Sequence, residues 1–444
     1  MSLNRRSFLR NTTVTAIGSG ILAAVPMEVL AAIRKKVSPN DHINIALIGC
    51  KGMGWSNLTS MLKLPEVQCI ALCDVDSNVL NQRNEELGKI NIKPTLYTDY
   101  RKLLENKDVD AVIIATPDHW HCLQMIDACA AGKDVYVEKP VSNSIREAQL
   151  MVEAAHKYNK VVQVNQWQRS QQHFINAIDF VKSGKLGKIT LTKTWMFRAG
   201  STPLPVLPNE PVPAGVDYDF WLGPAKKRPF NRNRFHYEFR WFWDYAGGLM
   251  TDWGVHLIDM ILWGMNAEAP LAVMASGGKY VFPQDARETP DQQTVVYDYN
   301  NFQMIWEHNM GSGTGNYGLQ HGIAFIGENG TLLLNRAGWE VRPDKVKNEA
   351  KMEAIAWQQQ SDNGLDKHTA NFIEVLKSRK LEQLNCPIEA GAKVAINCHM
   401  GNIALRTGEK VLWNAADNKF NSAKANELIK PDYQNGWKLP KVQA

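Results

Sequence analysis

Three side chains in this 444-residue chain combine the types and neighbours that proton and charge transfer need: Lys139, Asp252 and His256. Lys139 lies in Glu138-Lys139-Pro140, directly after the β-branched, apolar run Asp134-Val135-Tyr136-Val137. Proline has no backbone donor and cannot continue a buried strand, so the run must stop there and leave Lys139 at the carboxyl edge of a sheet. Open α/β sheets bind ligands at that edge, where an ammonium group can stabilise a developing anion. Asp252 and His256 stand four residues apart. On one helix they would share a face, and a histidine beside a carboxylate suits acceptance of a proton from an alcohol. The same spacing equally describes a helix-capping aspartate and a satisfied core histidine.

An edge lysine of this kind needs strands and helices in alternation to place it. Residues 42–48, 67–73, 111–115, 134–137 and 161–165 are short apolar runs of buried, parallel-strand type, and 55–63, 78–87, 119–131 and 144–158 carry helical spacing. This predicts an α/β fold with a Rossmann-type, doubly wound parallel sheet over residues 41–166, in which Lys139 ends the fifth strand. After about residue 170 the pattern changes. Strands are expected at 189–197, 293–299, 302–308, 323–326 and 331–334, some joined by tight turns such as Asn300-Asn301 and Glu328-Asn329-Gly330. With helices at 254–263, 369–377 and 391–406, residues 167–415 read as an α+β domain on a mostly antiparallel sheet, followed by a tail, 416–444. The five prolines between 203 and 213 mark an extended loop.

The turn after the first strand is Gly49-Cys50-Lys51-Gly52-Met53-Gly54. Gly49 and Gly54 match the outer positions of the dinucleotide-binding fingerprint, and Gly52 lets the backbone approach a pyrophosphate one residue later than usual, because Lys51 holds the middle position. Asp74, twenty residues past Gly54, ends the second strand, where a carboxylate can accept both ribose hydroxyls and repel a 2′-phosphate. NAD is therefore favoured over NADP.

Composition excludes several other classes. Apolar residues make up 44% and charged residues 21%, ordinary values for a globular chain. Three arginines and one glutamate lie in the first 31 residues, so the formal charge of +5 leaves only +3 for the rest, too little to argue for nucleic acid. Residues 1–31 read as a twin-arginine export signal: Asn4-Arg5-Arg6-Ser7-Phe8-Leu9-Arg10, an apolar stretch from Thr12 to Val25, and small residues at cleavage spacing in Val29-Leu30-Ala31. A mature chain starting near Ala32, a periplasmic location and no stable membrane insertion after cleavage are the expectations. The seven cysteines are an odd number and mostly fall within expected strands and helices, which suggests buried free thiols.

Together the glycine turn, Ala115-Thr116-Pro117-Asp118-His119-Trp120-His121, Glu138-Lys139-Pro140, Ser183-Gly184-Lys185-Leu186-Gly187-Lys188-Ile189 and Asp252-x-x-x-His256 resemble the glucose-fructose oxidoreductase, inositol dehydrogenase and rhizopine catabolism (Gfo/Idh/MocA) family over nearly all the chain after Asp41. The layout with its signal resembles exported members of Bacteroidetes type. The resemblance implies hydride transfer from a sugar, glycoside or cyclitol carbon to a tightly bound nicotinamide. Lys139 would support the reacting hydroxyl, His256 would accept its proton and Asp252 would orient the imidazole. It also puts Thr116, Pro117 and His121 near the nicotinamide. Glu138 fits either a cofactor contact or an ion-pair partner at a helix end. Gln168 and Arg169, after the sixth strand, fit either reach to the cofactor amide or phosphate, or solvent exposure. His119 and His121 have no third ligand at metal-binding spacing, so no metal is expected.

Export requires the cofactor to be reoxidised in place, by a second sugar substrate or by a redox-neutral NAD-dependent cycle that cleaves a glycoside by oxidation, elimination, hydration and reduction. A separate alternative is a non-catalytic sugar-binding protein on the same fold. Six of the fourteen tryptophans lie between Trp195 and Trp263, interleaved with Arg228, Arg232, Arg234 and Arg240. That composition suits a sugar site or a subunit interface equally, and a homo-oligomer, dimer or tetramer, is expected.

Overall fold

The computed structural model describes residues 25–33 and 42–442. The twin-arginine run and most of the apolar stretch after it lie outside these residues.

Six strands form a parallel sheet: β1 (Ile43–Ile48), β2 (Val67–Cys73), β3 (Thr95–Tyr97), β4 (Ala111–Ile114), β5 (Asp134–Val137) and β6 (Val162–Val164), in the order β3-β2-β1-β4-β5-β6. Strand order reverses between β1 and β4, which creates the crevice where doubly wound sheets bind ligands. The strands are almost wholly apolar because helices cover both faces. Ala46, Ile48, Val112, Ile114, Val135 and Val137 pack on one side with Leu123, Met125 and Met151. Ile45, Leu47, Ile113 and Tyr136 face the other side with Leu58 and Met61. Phe372, Ile373 and Val375, from the distant helix Gly364–Ser378, complete that second layer.

The second sheet has ten strands: β7 (Ile189–Phe197), β8 (Ala272–Gly278), β9 (Gln292–Asp298), β10 (Gln303–Asn309), β11 (His321–Gly327), β12 (Gly330–Asn335), β13 (Gly338–Pro343), β16 (Ile355–Gln359), β17 (Val411–Asn414) and β18 (Lys419–Phe420). A separate ribbon pairs β14 (Lys345–Val346) with β15 (Glu349–Ala350). The order is β16-β13-β12-β11-β7-β10-β9-β8-β17-β18, and β7 with β10 is the parallel pair in an otherwise antiparallel sheet. The fold class therefore matches expectation, with twice the strands the alternation pattern had suggested. β8, β13, β16 and β17 are short or carry Gly, Pro and polar residues, which mute the period-2 signal.

Segments distant in sequence tie the halves together and cover the parallel sheet. Ser60 Oγ and Lys63 Nζ both reach Asp366 at 2.6 Å, fixing the helix Gly364–Ser378 to the first domain. The segment from 416 onward contributes β18 and then returns to the first domain: Tyr433 donates to Glu147 Oε1 at 2.6 Å, and Trp437 packs edge-on against Trp120. The helix Met27–Ile33 buries Leu30 fully in the second layer of the parallel sheet. A chain trimmed after Ala31 would lose that residue from the core. All seven cysteines are free and buried.

Candidate functional site

A cleft of about 280 Å³ opens at the carboxyl ends of β1, β2, β4 and β5, roofed by residues 235–240 and 251–252 of the second domain. Each sheet strand delivers one part of its wall.

The loop after β1 supplies close approach. Gly49 has φ +88°, and a Cβ there would stand 2.6 Å from the Ala115 carbonyl oxygen; a Cβ at Gly54 would stand 2.1 Å from the Gly49 oxygen. A Cβ at Gly52 would meet nothing within 4 Å, because that residue faces the open cleft. Lys51 makes no side-chain cap for the helix Gly52–Met61; the Gly54 amide donates to the Lys51 carbonyl at 3.1 Å, which leaves the Gly52 and Met53 amides for an anion. From β2, Asp74 accepts from the Cys50 amide at 2.8 Å and the Asp76 amide at 3.0 Å. Burial raises its carboxyl to about 6, against the pull of those two amides. Glycine turn, free amides and an acid at the end of β2 together fit a dinucleotide.

The loop after β4 contributes Thr116, Pro117 and His121 to the wall. Thr116 Oγ1 donates to Gln124 Oε1 at 2.7 Å, while the His121 ring spans the carbonyl oxygens of Thr116 and Pro140 at 2.8 Å each. Burial lowers His121 to about 4, so the ring is neutral and donates to only one of these two carbonyls. Glu138 accepts from Asn57 at 2.8 Å, from Asn165 at 2.5 Å and from the Lys139 amide at 3.1 Å. It is a buried bracket that also lines the cleft.

Lys139 stands where the strand must end. The Glu138 amide makes a last ladder bond to the Ile114 carbonyl, and Pro140 follows through a cis peptide. Its ammonium donates to the Asp252 carboxylate at 2.9 Å and to the Asp252 carbonyl at 3.0 Å. Burial alone would raise the Asp252 carboxyl, but Lys139 and Arg240 hold it well below the usual carboxylate range.

Three site expectations change. Asp252 and His256 do not share a continuous helix: Gly248–Asp252 is one short helix, Gly254–Gly264 another, and Trp253 breaks them. Asp252 faces Lys139, and among the described residues it makes no hydrogen bond to His256. The His256 ring lies outside the cleft wall with Nδ1 unpaired, kept neutral by burial and by the fields of Lys139 and Arg336. Gln168 and Arg169 are neither at the cleft nor in solvent. Gln168 donates to the His256 carbonyl at 3.2 Å, and Arg169 is locked to the buried Asp259 by two bonds of 2.7 and 2.8 Å. The turn Trp167–Ser170 directs both toward the second domain, away from the crevice.

Other residues at the cleft carried no separate sequence signal. Asp118, in the first turn of the helix Asp118–Ala130, is buried against Lys139, Asp252 and Arg240; burial pushes its carboxyl well up. His236 reaches Asp76 Oδ2 at 3.0 Å from a backbone with φ +50°. Beside it, the Ser77 and Asp217 amides bond to the Gly215 and Val75 carbonyls, so a strap of the second domain lies across the end of β2. Asp118 sits inside the quoted motif and Arg240 inside the tryptophan-rich stretch. Only the fold brings them to Lys139.

Residues 43–166 match the NAD-binding Rossmann fold of the Gfo/Idh/MocA oxidoreductase family, and residues 180–439 match that family's C-terminal alpha/beta domain. The chain belongs to this family. Among curated relatives it is 27% identical over 205 residues to a glycosyl hydrolase family 109 protein of Shewanella pealeana, a stretch covering 43% of this chain and 45% of that protein. The chain thus spans about half the length of the curated relatives it matches. Similar solved folds include the WlbA dehydrogenase from Bordetella pertussis in complex with NADH and UDP-GlcNAcA (TM-score 0.63, 16% identity, 84% of this chain and 99% of that one). Levoglucosan dehydrogenase in complex with NADH and levoglucosan is similar at TM-score 0.62 and 17% identity, over 84% of this chain and 99% of that one.

Proposed function

We propose that this family member oxidises a hydroxyl-bearing carbon of a sugar, glycoside or cyclitol, using a nicotinamide that stays tightly bound. The observation that carries this reading is the Lys139 ammonium, fixed by Asp252 at 2.9 Å on the wall of the dinucleotide cleft. The bound cofactor would supply the hydride acceptor. Lys139 would stabilise the negative charge that develops on the substrate oxygen, and Asp252 positions the ammonium where the sequence had suggested it would position an imidazole. His256, neutral and with a free ring nitrogen, is the proton acceptor behind Lys139 in this reading. NAD is favoured over NADP because Asp74 would oppose a 2′-phosphate.

Absorbance of the purified protein at the reduced-nicotinamide band, before and after a sugar panel, tests this. Net reduction on sugar addition supports the dehydrogenase. A second reading, the redox-neutral cleavage of a glycoside, is favoured by the relatives named as glycosyl hydrolases. Sugar release without net reduction would select it, and no response across the panel would leave a binding protein.

The twin-arginine-like start is the ground for proposing export to the periplasm. The burial of Leu30 in the core is the support for processing upstream of Val25 and not near Ala32, and N-terminal sequencing of the exported protein checks it. Assembly as a dimer or tetramer would cover Leu271, Met274 and Leu412, which are exposed on β8, β17 and their approach; light scattering reads the outcome.

A further inference from the structure

The cleft carries a second cation that the proposed hydride chemistry does not use. Arg240 lies in the short 3-10 helix His236–Trp241 and lines the cleft. Its guanidinium stacks on Tyr237 at 3.9 Å from the ring centroid, which fixes the plane of the fork. Nε stands 3.6 Å from Asp252 Oδ2, beyond hydrogen-bond reach. Nε and Nη1 are shut off from solvent and make no hydrogen bond among the described residues. Buried donors without acceptors are rare in folded proteins, and a guanidinium fork is shaped for a planar oxyanion.

The neighbouring arginines have partners for their terminal nitrogens. Arg228 is spent on Asp244 and Glu288, Arg232 on Glu210, and Arg234 donates through Nη2 to the Pro229 carbonyl at 2.7 Å, with its buried Nε left without a hydrogen bond. Nor does Asp252 neutralise Arg240 fully, since its other oxygen is already held by Lys139 at 2.9 Å. One carboxylate thus faces two cations, and Arg198 and Arg336 add to the positive field at the same point. Asp118 and Glu238 are the other acids whose fields reach Arg240; burial drives Asp118 toward its neutral form, and Glu238 already accepts from Trp241 Nε1 at 2.7 Å. The remaining cleft acids belong to the opposite end or are already bonded: Asp74 and Asp76 to amides and His236, Glu138 to two asparagines.

We propose that Arg240 forms a subsite for an oxyanion carried by the substrate, so that the enzyme takes acidic sugars in preference to their neutral counterparts. A carboxylate of a uronic acid suits the planar fork best; a sulfate ester offers the same chemistry through three oxygens. Arg240 is a specificity residue in this arrangement, with Lys139 left to the reacting hydroxyl. The inference rests on the sugar-oxidoreductase reading, from which its test is separable.

The full-length protein, loaded with NAD, is titrated calorimetrically with D-glucuronate against D-glucose, D-galacturonate against D-galactose, and glucose 6-sulfate. At least one acidic probe should bind tenfold or more tightly than its neutral partner, and the sulfate arm shows which oxyanion is preferred. Arg240→Met should bring the acid-to-neutral ratio within about twofold of one, while Arg240→Lys keeps part of the preference. Thermal melting and NAD titration of each variant establish that it is folded and loaded. Equal affinity for both sugars of each pair, no binding of any acidic probe, or a ratio unchanged in folded Arg240→Met would overturn the proposal. Failure of the oxidoreductase reading looks different: an acidic sugar that binds through Arg240 yet leaves the nicotinamide absorbance unchanged and is not cleaved.

Discussion

The two ends of the cleft are built on different terms. The cofactor end is made of main-chain geometry: a glycine turn, helix amides and strand termini, with Asp74 held by two backbone amides. The substrate end is made of side chains that converge from far apart, with Asp118 and Lys139 from the parallel sheet meeting Arg240 and Asp252 from the second domain. A backbone-built site is fixed once the strands form, whatever the second domain does. A site built from converging side chains exists only when both domains are packed, so its chemistry can change by substitution without disturbing the cofactor end.

Arg169 is the sharpest test of where the cofactor end stops. It follows β6 closely in sequence, yet it is paired with Asp259, whose side chain is fully buried. Removing one partner of such a pair leaves an uncompensated buried charge, a loss of about 3–5 kcal/mol. Arg169→Met should therefore lower the urea midpoint by that equivalent while NAD affinity of the folded fraction stays within about twofold. A selective loss of NAD affinity at unchanged stability would move Arg169 into the cofactor site and break the division.

Lys139 follows β5 by two residues, yet its proposed role puts it at the other end. Losing a donor that stabilises developing charge costs on the order of a hundredfold to a thousandfold in kcat. Lys139→Met should show that loss in sugar oxidation with NAD binding largely kept, measured by steady-state absorbance and cofactor titration. Loss of NAD binding instead would place the lysine on the cofactor side.

The same division explains what could be read in the chain beforehand. Gly49, Gly54, Asp74 and Lys139 are each marked by their immediate neighbours, because local backbone rules decide a strand end or a tight turn. The pairing of Asp252 with Lys139 is 113 residues long in sequence and has no local mark. Spacing allows a pairing of Asp252 with His256 and the family resemblance assigns it, but the break at Trp253 separates the two helices that carry them. Gln168 and Arg169 were misread for a related reason: position after a strand does not say which way a turn points. The five strands missed in the second sheet are edge or half-exposed segments whose partners, and not their composition, make them strands.

Acid titration at the cofactor end moves stability and cofactor affinity in opposite directions. Asp74 has its folded-state carboxyl raised from 3.8 to about 6, so between those values the folded protein keeps a proton that the unfolded chain has lost. Its contribution to stability falls as pH rises through that window and is constant above it. Cofactor affinity should move the other way, because ribose hydroxyls need the ionised acceptor: NAD binding weakens by up to about tenfold per pH unit below 6. Asp74→Asn should flatten the affinity profile. A profile that is already flat in the unmodified protein would remove Asp74 from ribose recognition.

The smallest effect falls where the two ends meet. His236, from the second domain, donates to Asp76 at 3.0 Å beside the backbone bonds of the strap at Gly215 and Val75. One hydrogen bond of this kind is worth about 1 kcal/mol net, roughly a fivefold change in a rate that depends on opening. His236→Ala should raise the NAD dissociation rate by about that factor in stopped-flow displacement, with kcat for the sugar unchanged where chemistry limits turnover. The backbone bonds remain in the variant, so the strap loosens without detaching. If dissociation is unaffected, the strap is rigid through its main chain alone, and the second domain's hold on the cofactor end is as independent of side chains as the glycine turn beneath it.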